Sequence, residues 1–153
     1  MVFDQVRELF DYKDGLLIWK EGRRGTAAGD IAGSVRKIDG RRQVGYKRKI
    51  YLNYRLVYLW HHGYMPDRVD HINGDQSDDR IENLRECTAN QNSWNSKVRK
   101  GLKNIYKTPS NTWKVQIKAG DKKHDSTHKT LEEAIKVAER VRQELHGDYA
   151  RGI

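Results

Sequence analysis

Apolar positions at the start of the chain recur at helical spacing: Val2, Phe3, Val6, Leu9 and Phe10. That stripe predicts a short packing helix. Asp14-Gly15 marks a turn into a strand over Leu16–Trp19. Gly22, Gly25, Gly29, Gly33, Gly40 and Gly45 then punctuate a loop-and-hairpin region. Over residues 43–52, Val44, Tyr46, Ile50 and Leu52 share one parity, Lys47 and Lys49 take the other, and Arg48 breaks the apolar face. This predicts a two-stranded ribbon with one cationic side. Asn53 to His62 reads as a helix closed by Gly63, with Pro66 beyond. Leu56, Leu59 and Trp60 are its packing residues. Val69–Ile72 and Leu84–Arg85 read as short strands, and Asn73-Gly74 turns the chain after the first. Thr88 suits the N-cap of a helix through Asn95, its hydroxyl accepting from an orphan backbone N–H.

Lys97–Lys100 reads as an exposed basic linker. Strands are predicted at Lys103–Lys107, Trp113–Lys118 and Lys122–Thr127. Thr130 with Glu133 forms a capping box. Leu131, Ala134, Ile135, Ala138, Val141 and Leu145 then line one face of a helix that ends before Gly147. Three strands with one amphipathic helix make a minimal two-layer domain. The expected fold class is α+β, with one domain over 1–96 and a second over 97–153. Within the first, a basic ribbon region spans about 12–52 and a ββα unit about 54–95.

Apolar residues make up 36% of the 153 positions, so small modules fit better than one large core. Net charge is +9, with a pI of about 9.7, and points to a polyanionic partner. The charge is segregated. Residues 20–49 hold ten Lys/Arg against Glu21, Asp30 and Asp39, and residues 97–125 hold nine against Asp121 and Asp125. Residues 65–90 hold seven acidic side chains and three Arg. Two basic arms suit phosphate backbone, and an acidic centre suits a cation. Cys87 is the single cysteine. It excludes an internal disulfide and structural zinc through Cys clusters, and suits a reducing cytoplasm. No signal peptide and no run of about 18 apolar residues appears, which argues against secretion and membrane spanning.

The segment Arg68–Asn95 carries the candidate chemistry. Strand, loop, strand and helix would bring Asp70 and His71, at a strand end, close to Asn92. Asp70 and Asn92 offer hard oxygens that suit Mg²⁺ or Mn²⁺. His71 titrates near neutrality and can act as general base. Asn83 can hold the imidazole directly or through the backbone around it. Phosphodiester hydrolysis needs such a base beside a cation. An EF-hand fails on spacing, because Ile72 and Asp75 fall where an oxygen ligand and a Gly are required.

The run Asp-His-Ile-Asn-Gly-Asp, then Asp-Arg-Ile-Glu-Asn-Leu-Arg, then Asn-Gln-Asn resembles the HNH endonucleases, in particular the phage and intron-encoded homing type. The resemblance is strongest over Tyr54–Asn95. It implies a ββα-metal (His-Me finger) unit, His71 as base, Asn83 orienting it, and Asp70 and Asn92 holding one divalent ion. It also implies double-stranded DNA as substrate and products with 3′-hydroxyl and 5′-phosphate ends. The family often has His-Arg at the start of the preceding helix; here it is Tyr54-Arg55. His61 and His62 are read as structural or phosphate-contacting.

The tail resembles the Apetala-type DNA-binding domain of ethylene-response factors. The matching residues are Asn-Ile-Tyr-Lys, then Trp113-x-Val-x-Ile-Lys118, then Thr130-x-Glu-Glu-Ala and Leu145-His-Gly. In that family the sheet faces the major groove, which implies Lys103, Tyr106, Thr108, Gln116 and Lys118, with Lys122 and His124, as outward DNA contacts. Asp125 stands where the family has an apolar residue. Arg23, Arg24, Arg36, Lys37, Arg41, Arg42, Lys47, Lys49 and Arg85 complete the expected nucleic-acid contacts. The combined expectation is a phage-type HNH homing endonuclease, monomeric on an asymmetric DNA site in the cytoplasm of an infected host. The competing expectation is a DNA-binding regulator with a dead HNH unit.

Overall fold

The N-terminal apolar stripe resolves into two elements. The structure, a computed structural model, describes residues 1–95 and 102–150. Helix α1 (Phe3–Leu9) buries Val6. Phe10, expected on the same stripe, instead opens strand β1 (Phe10–Lys13). The Asp14-Gly15 turn leads into β2 (Leu16–Trp19), antiparallel to β1. The loop after β2 runs back along it, with Ala32 N–H donating to the Leu17 carbonyl at 2.7 Å.

Strands β3 (Ser34–Val35), β4 (Arg42–Tyr46) and β5 (Lys49–Leu52) form an antiparallel sheet in the order β3-β4-β5. The register corrects the expected faces of the ribbon. Lys47 and Arg48 both turn in the left-handed region, at φ 46° and 62°. Tyr46 therefore pairs with Lys49, and Val44 with Tyr51. A two-residue turn pairs odd positions with even ones. Ile50 and Leu52 accordingly lie on the face opposite Val44, and Lys49 shares the face of Tyr46. Ile50 is 70% exposed. Arg48 sits at the hairpin tip and does not interrupt an apolar face.

Helix α2 (Asn53–His62) ends at Gly63, as its sequence predicts. Its Leu56, Val57 and Leu59 join Val6, Phe10, Leu17 and Val44 in the core. Full burial of such a side chain contributes ~1.5–3 kcal/mol. Strand β6 (Val69–His71) pairs antiparallel with β7 (Leu84–Glu86), so that Asp70 stands opposite Arg85 and His71 opposite Leu84. A 3₁₀ turn over Ile81–Asn83 delivers the chain into β7.

These elements make one compact unit, Met1–Cys87; Thr88–Ile153 make a second. The division falls at 87–88, ahead of the expected 96–97. Helix α3 (Ala89–Trp94) therefore groups with the second unit, where Trp94 stacks on His146. Thr88 Oγ1 caps α3 by accepting from Gln91 N–H at 3.3 Å. The expected linker at Lys97–Lys100 lies outside the described residues.

Strands β8 (Ile105–Lys107), β9 (Trp113–Ala119) and β10 (Lys122–His128) form an antiparallel sheet in the order β10-β9-β8. Helix α4 (Leu131–His146) packs on it, capped by Thr130. Ile105, Val115 and Ile117 meet Ala134, Ala138 and Val141 in the core. Cys87 is buried, and burial pushes its thiol pKa up. Among the described residues, no helix is long and apolar enough to cross a membrane.

Candidate active site

Four aspartates crowd β6 and the loop that follows it, and the fold gives them different tasks. Asp75 closes its own turn, accepting from Ser77 N–H at 3.0 Å and from Ser77 Oγ at 2.7 Å. Asp78 takes a two-pronged contact from Arg80, with Nε on Oδ1 and Nη2 on Oδ2, each at 2.8 Å. The guanidinium holds the Asp78 carboxyl down at a pKa of about 2. Asn73 Nδ2 also donates to Asp78, at 2.9 Å. These two acids are used by the loop itself.

Asn83 ties the same loop to β7. Its Oδ1 accepts from Asn73 N–H at 2.9 Å, and its Nδ2 donates to the Asp78 carbonyl at 2.7 Å. Its backbone carbonyl accepts from Ile72 N–H at 2.8 Å. One end of the amide thus holds backbone two residues after His71, and the other holds backbone next to Asp79.

The remaining two carboxylates are buried with a cation or an imidazole. Asp70 is 7% exposed, and its Oδ2 accepts from Arg85 Nη2 at 3.0 Å and Nε at 3.2 Å. Arg85, expected as a DNA contact, is instead folded onto Asp70 across the β6–β7 ladder, which leaves its side chain 15% exposed. His71 is 5% exposed, and its Nε2 lies 2.9 Å from Asp79 Oδ1. Tyr54 on α2 sets its ring edge-on against the imidazole, with centroids 5.2 Å apart. The departure Tyr54-Arg55 thus places an aromatic wall behind His71. Arg55 turns away and donates to the Pro66 and Asp67 carbonyls.

Asp79 was not among the residues the motif singled out. No signal in the sequence separates it from Asp75 and Asp78 in the same loop. Asn53 was equally invisible. Its side chain is fully buried, and Nδ2 donates to Asp79 Oδ2 and to the Gly15 carbonyl, each at 2.8 Å.

The structure thus brings Asp70, His71 and Asn83 together in the first unit. Asn92 lies on α3, in the second. Among the described residues, no group of three or more His, Cys, Asp or Glu side chains is placed to hold a metal ion. Asp70 and Asn92 each carry a hard oxygen, the donor type that suits a divalent ion such as Mg²⁺.

The basic arm before α2 is exposed but already organised. Arg23 lies over the rings of Trp19, at 4.1 Å, and Tyr46, at 4.8 Å. Arg36 and Arg41 both meet Asp39, and Arg42 donates to the Gly33 carbonyl. Lys47 reaches over Tyr46. Arg24, Lys37 and Lys49 are exposed.

In the second unit, β10 corrects an expected face. His124 pairs with Ile117 and Ser126 with Val115, so His124 points to the helix side, where it meets Ser126 Oγ at 2.9 Å. Lys122 shares its parity. Asp125 pairs with Gln116 and receives its Nε2–H at 2.8 Å on the outward face. The outward residues include Tyr106, Lys114, Gln116, Lys118, Lys123, Asp125 and Thr127. Thr108 hydrogen-bonds within its own turn to Thr112. The Lys103 amine donates to the Trp94 carbonyl, off the outward face.

Residues 51–94 match the HNH endonuclease family, which spans α2, both strands of the candidate site and α3. The fold and the site therefore define a chain with an HNH endonuclease domain. The chain is 35% identical over 88 residues to "Protein 3.8" of Escherichia phage T7, covering 54% of this chain and 73% of that protein. It belongs to the same family as Protein 3.8. No solved structure matches the chain.

Proposed function

We propose that the protein is a metal-dependent DNA endonuclease of the phage homing type, acting on double-stranded DNA in the host cytoplasm. The observation that carries this reading is His71, buried beside Asp70 at the end of β6, within a segment matching HNH endonucleases. His71 accepts the proton of the attacking water. Asp70 and Asn92 are the residues that would hold one Mg²⁺ or Mn²⁺, as the ββα-metal arrangement requires. Such an ion neutralises developing charge on phosphate and leaving group. Asn83 keeps the backbone around the base in place.

The two basic arms hold an extended site as a monomer. Arg24, Lys37, Lys47 and Lys49 meet phosphates on one side of the cut. Tyr106, Gln116 and Lys118 belong to an Apetala-like sheet that reads the major groove, where long polar side chains reach base edges.

Incubating plasmid with protein and Mg²⁺ tests the reading. Nicked or linear DNA should appear, vanish with EDTA, and be lost in His71→Ala. Intact plasmid under all metals, with tight sequence-specific binding retained, would identify a non-catalytic regulator instead.

A further inference from the structure

Nothing in the HNH match explains why a second buried carboxylate faces His71. Asp79 is 5% exposed, as is the imidazole it meets. Its two oxygens have separate partners: Oδ1 lies 2.9 Å from His71 Nε2, and Oδ2 accepts from Asn53 Nδ2 at 2.8 Å. Asn53 is held in turn by the Gly15 carbonyl, at 2.8 Å. The turn at Gly15 packs on the backbone of Asp79 and Arg80 so closely that an added Cβ would stand 2.9 Å from the Asp79 carbonyl carbon. The carboxylate is therefore fixed at its side chain and at its backbone. Gly15 lies outside the matched segment 51–94.

A carboxylate accepts and does not donate. A 2.9 Å contact with Nε2 therefore places the ring proton on Nε2 and makes Nδ1 the basic nitrogen. We propose that Asp79 is a positioning residue that holds His71 as the Nε2–H tautomer, so that Nδ1 takes the proton from water. A triad carboxylate fixes its histidine's tautomer in the same way, and losing it lowers kcat by ~10⁴ through the wrong tautomer. Asn53 and Gly15 act one step further back, by orienting the carboxylate. The proposal rests on the reading of His71 as general base.

Asp79→Asn is the discriminating variant. Its single amide oxygen can serve Asn53 or His71 but not both, so the amide N–H₂ competes to face Nε2 and the tautomer shifts toward Nδ1–H. Long-range ¹H–¹⁵N correlation on ¹⁵N-labelled full-length protein reads the tautomer directly, without a metal or DNA. The wild type should show Nε2–H at His71, and Asp79→Asn a raised Nδ1–H population. Cleavage by Asp79→Asn should lose ~10²–10⁴ in kcat, with KM for DNA within about twofold. A wild-type Nδ1–H tautomer overturns the proposal, whether or not any variant folds. An inactive His71→Ala beside an Asp79→Asn of wild-type kcat overturns the role of Asp79 alone. A fully active His71→Ala overturns the base assignment, and the catalytic sense of the pair with it.

Discussion

Replacing Gly15 by Ala tests the packing that supports the candidate base from behind, and Gly29 supplies an internal control. Gly15 adopts φ +83° and Gly29 φ +87°, so an L side chain meets the same left-handed penalty at each. That penalty is ~1–2 kcal/mol. The surroundings differ. A Cβ on Gly15 would stand 2.8 Å from Arg80 N and 2.9 Å from Asp79 C, both backbone atoms that no rotamer can move. A Cβ on Gly29 would meet nothing within 4 Å. Forcing atoms into a packed site adds ~1–3 kcal/mol. Gly29→Ala should therefore cost ~1–2 kcal/mol and Gly15→Ala ~2–5 kcal/mol. In a domain of this size each kcal/mol moves Tm by ~4–8 °C. Thermal melts followed by circular dichroism should place Gly15→Ala below Gly29→Ala by ~4–24 °C. At a temperature where both variants are folded, only Gly15→Ala should also lose cleavage, because Asp79 moves with its backbone. Equal melting temperatures, or a lower one for Gly29→Ala, would refute the close approach of this turn to the Asp79 backbone.

Three further outcomes are expected. Asp70→Ala should abolish cleavage at ordinary Mg²⁺ concentrations while DNA binding measured in EDTA stays within a few fold; normal turnover would remove Asp70 from the metal site. Neutralising Lys118 and Lys123 together as Gln should flatten the plot of log K against log salt by up to ~1.8, at ~0.9 for each phosphate no longer neutralised. An unchanged slope would mean that the outward sheet face does not lie on DNA. Burial holds the His146 imidazole below its ordinary pKa, with Lys103 and Arg142 adding to the shift. The unfolded chain then binds the proton more readily, so this stability is full above pH ~6.5 and falls as pH drops below it. Melting between pH 7.5 and 5.5 should drop less in His146→Phe than in the wild type. A residual slope should persist from His61, which burial and its neighbours His62 and Arg7 also hold below the ordinary value. An identical drop in both proteins would assign the effect elsewhere.

The features legible in the sequence were the local ones. Helix α2 with its Gly63 end, the Thr88 cap of α3 and the Thr130 cap of α4 depend on residues a few positions apart. The short β6–β7 ladder joins more distant residues, but its two strands and the Asn73-Gly74 turn were each marked locally. Two faces were misread because parity does not survive an unexpected register. The left-handed pair Lys47-Arg48 carries no glycine, so nothing marked the two-residue turn that moves Ile50 across the sheet. On β10, Asp125 looked misplaced in an apolar position; the register puts it outward against Gln116 and turns His124 inward. At the candidate site the motif spacing named Asp70, His71 and Asn83. It gave no means of choosing among Asp75, Asp78 and Asp79 as the partner of His71. That choice depends on Asn53 and on a turn at Gly15 far away in the chain, and sequence spacing does not encode contacts of that range.

The stack of Trp94 on His146, rings 4.6 Å apart and 5° from parallel, bears on how such genes can be recombined. Helix α3 ends the segment matched to HNH endonucleases, yet it is fastened to the last turn of α4. A crossover within the stretch between Asn95 and Leu102 looks harmless on the primary structure, but it would part α3 from the His146 ring on which Trp94 stacks. A crossover upstream of Thr88 transfers α3, the sheet and α4 as one heritable cassette. Chimeras joined before Thr88 should therefore keep the Trp94–His146 stack intact. Lineages that exchanged tails successfully should carry Trp94 and His146 together or lack both.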